Sequence, residues 1–189
     1  LVLFCEVRGG ARTPQNKTRC EACGFGAFST GNAKMSPVHV TAKADYAMRA
    51  MIEIAAAGDE RAKAEQIAAA QEIPLGFLRG ILTDLRRAGL IVSQRSANGG
   101  FKLARPAKDI SIGDVVRSVE GPLAQVRGLK PTELDYPGAA APLRDVWIAL
   151  RANLRAIVDN TSIEDVASGK LPSAVVKLAT DPKSHIENF

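Results

Sequence analysis

Residues 75–104, Leu75-Gly-Phe-Leu-Arg-Gly-Ile-Leu-Thr-Asp-Leu-Arg-Arg-Ala-Gly-Leu-Ile-Val-Ser-Gln-Arg-Ser-Ala-Asn-Gly-Gly-Phe-Lys-Leu-Ala104, decide the fold. Leu78, Ile81, Leu82 and Leu85 recur at helical spacing and make one apolar stripe. Ala88-Gly89 ends that helix, because glycine takes the left-handed conformation after a last turn at little cost. Leu90 to Ser93 and Gly100 to Ala104 are strand-like, and Arg95-Ser-Ala-Asn-Gly-Gly100 between them reads as a hairpin loop, since asparagine and glycine accept positive φ. A helix followed at once by such a hairpin is a helix with a wing.

The flanks extend the pattern. Ala47, Ala50, Met51 and Ile54 fall on one face of a first helix that Gly58-Asp59 stops. A short helix from about Ala64 to Gln71 breaks at Ile73-Pro74, so the wing follows a helix-turn-helix. Downstream, Ser111-Ile-Gly-Asp114 has capping-box spacing with Asp in place of the usual Glu, and its helix ends at Glu120-Gly-Pro122. Four prolines (Pro122, Pro131, Pro137, Pro142) mark a loop. Leu143, Val146, Trp147, Leu150, Leu154, Ile157 and Val158 then form the longest stripe in the chain, on a helix of about 17 residues. Thr161-Ser-Ile-Glu164 predicts a capping box for one more short helix.

The expected organisation is an irregular extension over 1–36, a winged helix-turn-helix domain over 37–121, a loop over 122–142, a dimerisation helix with a short cap helix over 143–169, and a tail over 170–189. Position 1 is not Met and the pattern starts near Met35, so the extension reads as an upstream or misassigned start. The fold class is mainly α: a winged helix-turn-helix with a two-stranded wing and a long C-terminal dimerisation helix. Composition agrees, with 46% hydrophobic, 24% charged and only 5% aromatic residues in 189, which suits small, alanine-rich helices.

Several function classes fall away. No apolar run approaches the ~18 residues a membrane span needs, and Leu1-Val-Leu-Phe-Cys5 is too short for a signal peptide. A cytoplasmic protein without a membrane partner is expected. The three cysteines, Cys5, Cys20 and Cys23, crowd into the first 23 residues, so no disulfide framework holds the fold. Cys20-Glu-Ala-Cys23 has metal-ligand spacing, but only Cys5 and His39 could complete a tetrahedral site, and free thiols are the simpler reading. With His39 and His185 as the only histidines and no phosphate-cradling loop, the sequence reads as no enzyme, with no metal and no cofactor.

Charge points to a partner. The net charge is +5, and from Leu85 to Lys108 six bases (Arg86, Arg87, Arg95, Lys102, Arg105, Lys108) stand without one acid. Such a field favours a polyanion, although a solvated basic face has the same composition. Opposite the apolar stripe of the third helix lie Gly76, Arg79, Gly80, Thr83 and Arg87, a face on which arginine could read guanine and threonine could adapt. Gly80 on that face either admits a close approach or has no role. In the wing, Arg95 beside Asn98-Gly99-Gly100 could meet phosphate or the minor groove, with Lys102 on phosphate.

The ordered set resembles the Rrf2 family of bacterial winged-helix transcription regulators. The matching residues are Thr41-x-Lys43-x-x-Tyr46-Ala47-x-Arg49-Ala50, Ile67-Ala68, Ile73-Pro74, Phe77-Leu78 with Leu85, and Ala88-Gly89-Leu90. They continue with Ser93-x-Arg95, Gly99-Gly100-Phe101-x-Leu103-Ala104 and Ile112-x-Asp114-Val115-Val116-x-x-Val119-Glu120-Gly121, so the likeness covers roughly Val38 to Gly169. It implies phosphate contacts from Thr41 and Lys43, packing from Tyr46, and pairing of the long helices across a two-fold axis. Departures are Ser96 and Glu72 where glycine is usual, and Lys63 where a Ser or Thr cap is usual. Cluster-bearing members carry three cysteines in the loop corresponding to Gly121–Pro142, and this loop has none. Asp45, where some of those relatives supply a carboxylate ligand, then reads as a first-turn acid favoured by the helix dipole.

The expectation is a homodimeric, sequence-specific DNA-binding regulator, acting as a repressor on a pseudo-palindromic operator in double-stranded DNA, with a small molecule or protein as effector. Two rivals stand beside it: a ligand- or protein-sensing scaffold that no longer binds DNA, and a metal-dependent sensor using Cys20 and Cys23.

Overall fold

The computed structural model describes residues 40–94 and 99–186. Helices α1 (Ala42–Ala56), α2 (Ala64–Ala70) and α3 (Leu75–Arg87) precede a hairpin of β1 (Ile91–Gln94) and β2 (Gly100–Leu103). Helices α4 (Ile112–Glu120), α5 (Leu143–Val158), α6 (Ile163–Ala167) and α7 (Ser173–Ala179) follow. The hairpin is antiparallel, with Ile91 opposite Leu103 and Gln94 opposite Gly100. Its turn, including Arg95 and Asn98, lies outside the described residues, as do the extension 1–36 and Cys5, Cys20, Cys23 and His39.

Each apolar stripe becomes core. Ala47, Ala50, Met51 and Ile54 of α1 and Leu78, Ile81, Leu82 and Leu85 of α3 are fully buried in one cluster with Ile67, Ile91, Ile110 and Val115. Burial of one such large aliphatic side chain is worth about 1.5–3 kcal/mol, so this cluster holds the helix-turn-helix rigid beneath its surface residues. The helix ends are closed by their own chemistry. Thr41 Oγ1 accepts from the Ala44 amide at the start of α1. Gly89, at φ +71, lets the Leu90 amide reach back to the Leu85 carbonyl and turns the chain from α3 into β1. Lys63, where a hydroxyl cap is usual, is served instead by Gln66 Oε1, which accepts from the Lys63 amide.

Three features depart from the sequence reading. The capping box of α6 starts one residue later than Thr161: Ser162 Oγ accepts from the Asp165 amide, and Asp165 Oδ2 accepts from the Ser162 amide. Thr161 is unavailable as cap because it is buried and its hydroxyl donates to the Ile157 carbonyl, finishing α5. Helix α6 also joins the winged unit, since Ile163 is buried in the α1–α3 cluster and its amide donates to the Ile110 carbonyl. The segment read as a tail contains α7 and a tight turn at Pro182–His185, with Thr180 and Ser184 donating to the Val176 and Leu178 carbonyls. Among the described residues no helix is long and apolar enough to cross a membrane.

Candidate nucleic-acid interface

Because α3 buries Leu78, Ile81, Leu82 and Leu85, its other face must stand outward, and the hairpin rises beside it. Between them and the start of α2 runs a groove of about 500 Å³. Lys63, Glu65, Arg79, Thr83 and Arg86 line one side, with Ser93, Gln94, Gly99 and Gly100 on the other. Arg79 Nη2 donates to Glu65 Oε1 at 3.1 Å, joining the first turn of α2 to the outer face of α3. The backbone amide at the start of α2, and then the Arg79 guanidinium, hold the Glu65 carboxyl below its usual range, so Glu65 is charged at neutral pH. Thr83 donates to the Arg79 carbonyl one turn back, and Arg86 Nη1 donates to Ser93 Oγ at 3.4 Å.

Of the residues expected at DNA, the groove gathers Arg79, Thr83, Gly99 and Gly100. Gly76 and Gly80 lie exposed on α3, with open space where a β-carbon would point. Arg87 sits in the last turn of α3, 3.8 Å from Asp84. Lys102 is opposite Val92 on the hairpin and does not line the groove; side chains alternate along a strand, so it faces away from Phe101, which packs on the core. Gly100 has an intramolecular reason to be glycine: a β-carbon there would press on the Ala62 carbonyl, 2.8 Å away, where Ala62 and Phe101 exchange backbone hydrogen bonds.

Thr41 and Lys43 have internal partners too. The Thr41 hydroxyl donates to Glu120 at 2.5 Å, while Lys43 Nζ donates to the Val119 carbonyl and pairs with Asp84 at 2.9 Å. These contacts fasten the start of α1 to the end of α4 and to α3. Tyr46 packs edge-on to Phe77 with Arg49 over its ring, and Asp45 lies 3.0 Å from Arg49. The sequence placed Lys63 only at the start of α2 and did not mark Glu65, so neither was expected at this groove. The usable signal was that the first turn of a helix-turn-helix's leading helix must face the next helix across the turn.

The expected dimerisation stripe lies on α5. Within one chain Leu143, Val146, Leu150 and Ile157 are exposed, while Trp147, Leu154 and Val158 are half-buried. The helix rests on the turn Pro131–Glu133, and Arg144 Nη2 donates to the Thr132 carbonyl.

Residues 40–169 match the Rrf2 family model, described as an iron-dependent transcriptional regulator. A Mycobacterium tuberculosis protein named as an HTH-type transcriptional regulator is 48% identical over 145 residues, spanning 76% of this chain and 90% of that protein. Among solved structures, CymR of Bacillus subtilis, described as its global cysteine regulator, aligns with a TM-score of 0.61 at 30% identity over 71% of this chain and 99% of its own. T. potens IscR aligns with a TM-score of 0.57 at 25% identity, over 74% of this chain and 96% of its own.

Iron in proteins is held by thiolate, imidazole or carboxylate ligands. The loop 122–142 holds neither cysteine nor histidine, and among the described residues no three His, Cys, Asp or Glu side chains gather as metal ligands. Thiolates or imidazoles are what an iron-sulfur cluster requires, so the described residues do not fit one.

Proposed function

Since the chain belongs to the Rrf2 family of transcriptional regulators, we propose that two copies act as a homodimeric repressor that binds a pseudo-palindromic operator in the cytoplasm. Each copy lays α3 in the major groove with the hairpin along the neighbouring backbone. The observation that carries this reading is the outward face of α3, where Arg79 and Thr83 border an open groove against the hairpin and Gly76 and Gly80 lie exposed with open space beside them. Arginine supplies the paired donors that guanine accepts in the major groove, and the two glycines let helix backbone come close to the bases. Thr41 and Lys43, tied within the chain, serve to place α1 against α3 and α4 in this reading. The α5 stripe pairs the two copies and thereby spaces the two recognition helices.

Selection of bound duplexes from random sequence tests the reading. A selected site should carry two related half-sites about one helical turn apart, and affinity should fall linearly in log–log form with salt. No enrichment over rounds of selection would overturn the DNA-binding reading and leave the sensing scaffold in its place.

A further inference from the structure

Among the described residues lining the groove, Glu65 is the single acid, set against Lys63, Arg79 and Arg86. A carboxylate on a surface that meets phosphate weakens binding to every sequence, so its presence there needs a reason. Fold stability is not that reason, because the side chains of Arg79 and Glu65 are 64% and 62% exposed and ion pairs so exposed contribute little. The pair is instead well placed to act on DNA. One hydrogen bond, from Nη2 to Oε1, joins the two side chains, and a guanidinium has five N–H donors, so among the described residues Arg79 keeps donors enough for a base edge.

We propose that Glu65 is a specificity-determining residue of this groove, orienting the Arg79 guanidinium toward one base position and opposing phosphate wherever that base is absent. The inference rests on the DNA-binding reading above. On the preferred site, guanine N7 and O6 accept from Arg79 while Glu65 keeps its own hydrogen bond, giving a carboxylate–guanidinium–base chain of charge-assisted contacts. On any other sequence Arg79 must either leave Glu65 for a phosphate, baring the carboxylate, or stay and make no DNA contact. Either outcome lowers affinity for random DNA, so discrimination grows at the expense of raw binding. Glu65 holds this place because it stands in the first turn of α2, and α2 is locked to α3 by the buried Ile67, Ile73 and Leu78.

The test uses the whole chain with a selected duplex and a scrambled one, each titrated at several salt concentrations. The proteins are the parent, Glu65→Gln, Glu65→Ala and Arg79→Ala, with base selection repeated for each. Glu65→Gln and Glu65→Ala should bind scrambled duplex about five- to tenfold more tightly, with a salt slope steeper by about 1 per subunit as Arg79 turns to phosphate. The ratio of selected to scrambled affinity should fall about tenfold, and the base position that relaxes should be the one that Arg79→Ala relaxes. Unchanged scrambled binding and an unchanged selected sequence would reduce Glu65 to an ordinary surface ion pair. Tighter scrambled binding with no relaxed base would overturn the specificity role and leave only repulsion. A parent that binds no duplex overturns the DNA reading itself, and this inference with it.

Discussion

The carboxylate of Asp159, just past the end of α5, lies in the space a β-carbon on Gly113 of α4 would occupy. Arg117 closes the arrangement, with Nη1 donating to Asp159 Oδ1 at 2.6 Å and Nη2 to Asp114 Oδ1 at 2.9 Å. Arg155 donates to the other Asp159 oxygen and Arg105 to the other Asp114 oxygen. The end of α5 is thus clasped to the first turns of α4, and the clasp exists because residue 113 has no side chain.

Gly113→Ala should therefore force the clasp open. The atoms in the way are the ends of the Asp159 and Arg117 side chains, which can swing aside. The cost is then the loss of their part-exposed ion pairs, about 1 kcal/mol, comparable to the ~1 kcal/mol that alanine gains over glycine within a helix, so the two offset. In an Asp159→Ala background the nearest obstruction is gone and the Arg117 guanidinium, released from Asp159, can turn away, so the same change should be stabilising by up to ~1 kcal/mol. Urea unfolding of the parent, both single variants and the double variant measures the coupling. Strict additivity would show that the two residues do not share that space.

The same clasp sets an acid dependence. Burial pushes the Asp159 carboxyl up, but Arg117 and Arg155 outweigh it and hold it below 3.8, its ordinary value. Asp114 is likewise pushed up by burial and held down more strongly by Arg117 and by the Ser111 cap. A lowered folded-state pKa gives stability that is complete above the unfolded value, and it is lost as pH falls through the folded one. The urea midpoint should be insensitive to these two groups above about pH 5 and drop below about pH 4. Asp159→Asn should be less stable than the parent at neutral pH and show a shallower loss in acid; parallel curves would discount the clasp.

Periodicity made the winged unit legible: Ala47, Ala50, Met51 and Ile54, like Leu78, Ile81, Leu82 and Leu85, are local signals whose spacing alone names a buried face. The Ser111–Asp114 box was legible for the same reason. Glu65 with Arg79, and Gly113 with Asp159, join residues from different helices, so no spacing along the chain announces them. Thr161 misled because two adjacent hydroxyls offered a cap, and only the packing of α5 shows that its hydroxyl is already engaged. Helix α7 spans only Ser173–Ala179, too short for a stripe to repeat.

Glu72 stands at φ +53 in the turn between α2 and α3, a left-handed conformation that costs a residue with a β-carbon about 1–2 kcal/mol. Glycine removes that cost but adds freedom to the unfolded chain, worth about 0.4–1 kcal/mol in the opposite sense. Glu72→Gly should therefore raise stability by about 0.5–1 kcal/mol, read as a higher urea midpoint at constant slope. A lower midpoint would mean that the Glu72 side chain makes contacts that outweigh its backbone strain.

The stripe on α5 gives the last prediction. Val146 is 56% exposed and Leu150 39%, side by side one turn apart, while Trp147 next to them is half-buried with its Nε1 enclosed and without a partner among the described residues. Apolar surface gathered in this way on one helix is removed from water when a second copy pairs with it. Sedimentation at micromolar concentration should find a dimer. Leu150→Asp combined with Leu154→Asp should give a monomer that keeps its helical circular dichroism, because the core cluster of the winged unit contains neither residue. Trp147 is the sole tryptophan, so its emission should shift to the red as the dimer dissociates on dilution. A parent that sediments as a monomer at these concentrations would leave the α5 face without its partner copy, and the two-fold operator reading would fail with it.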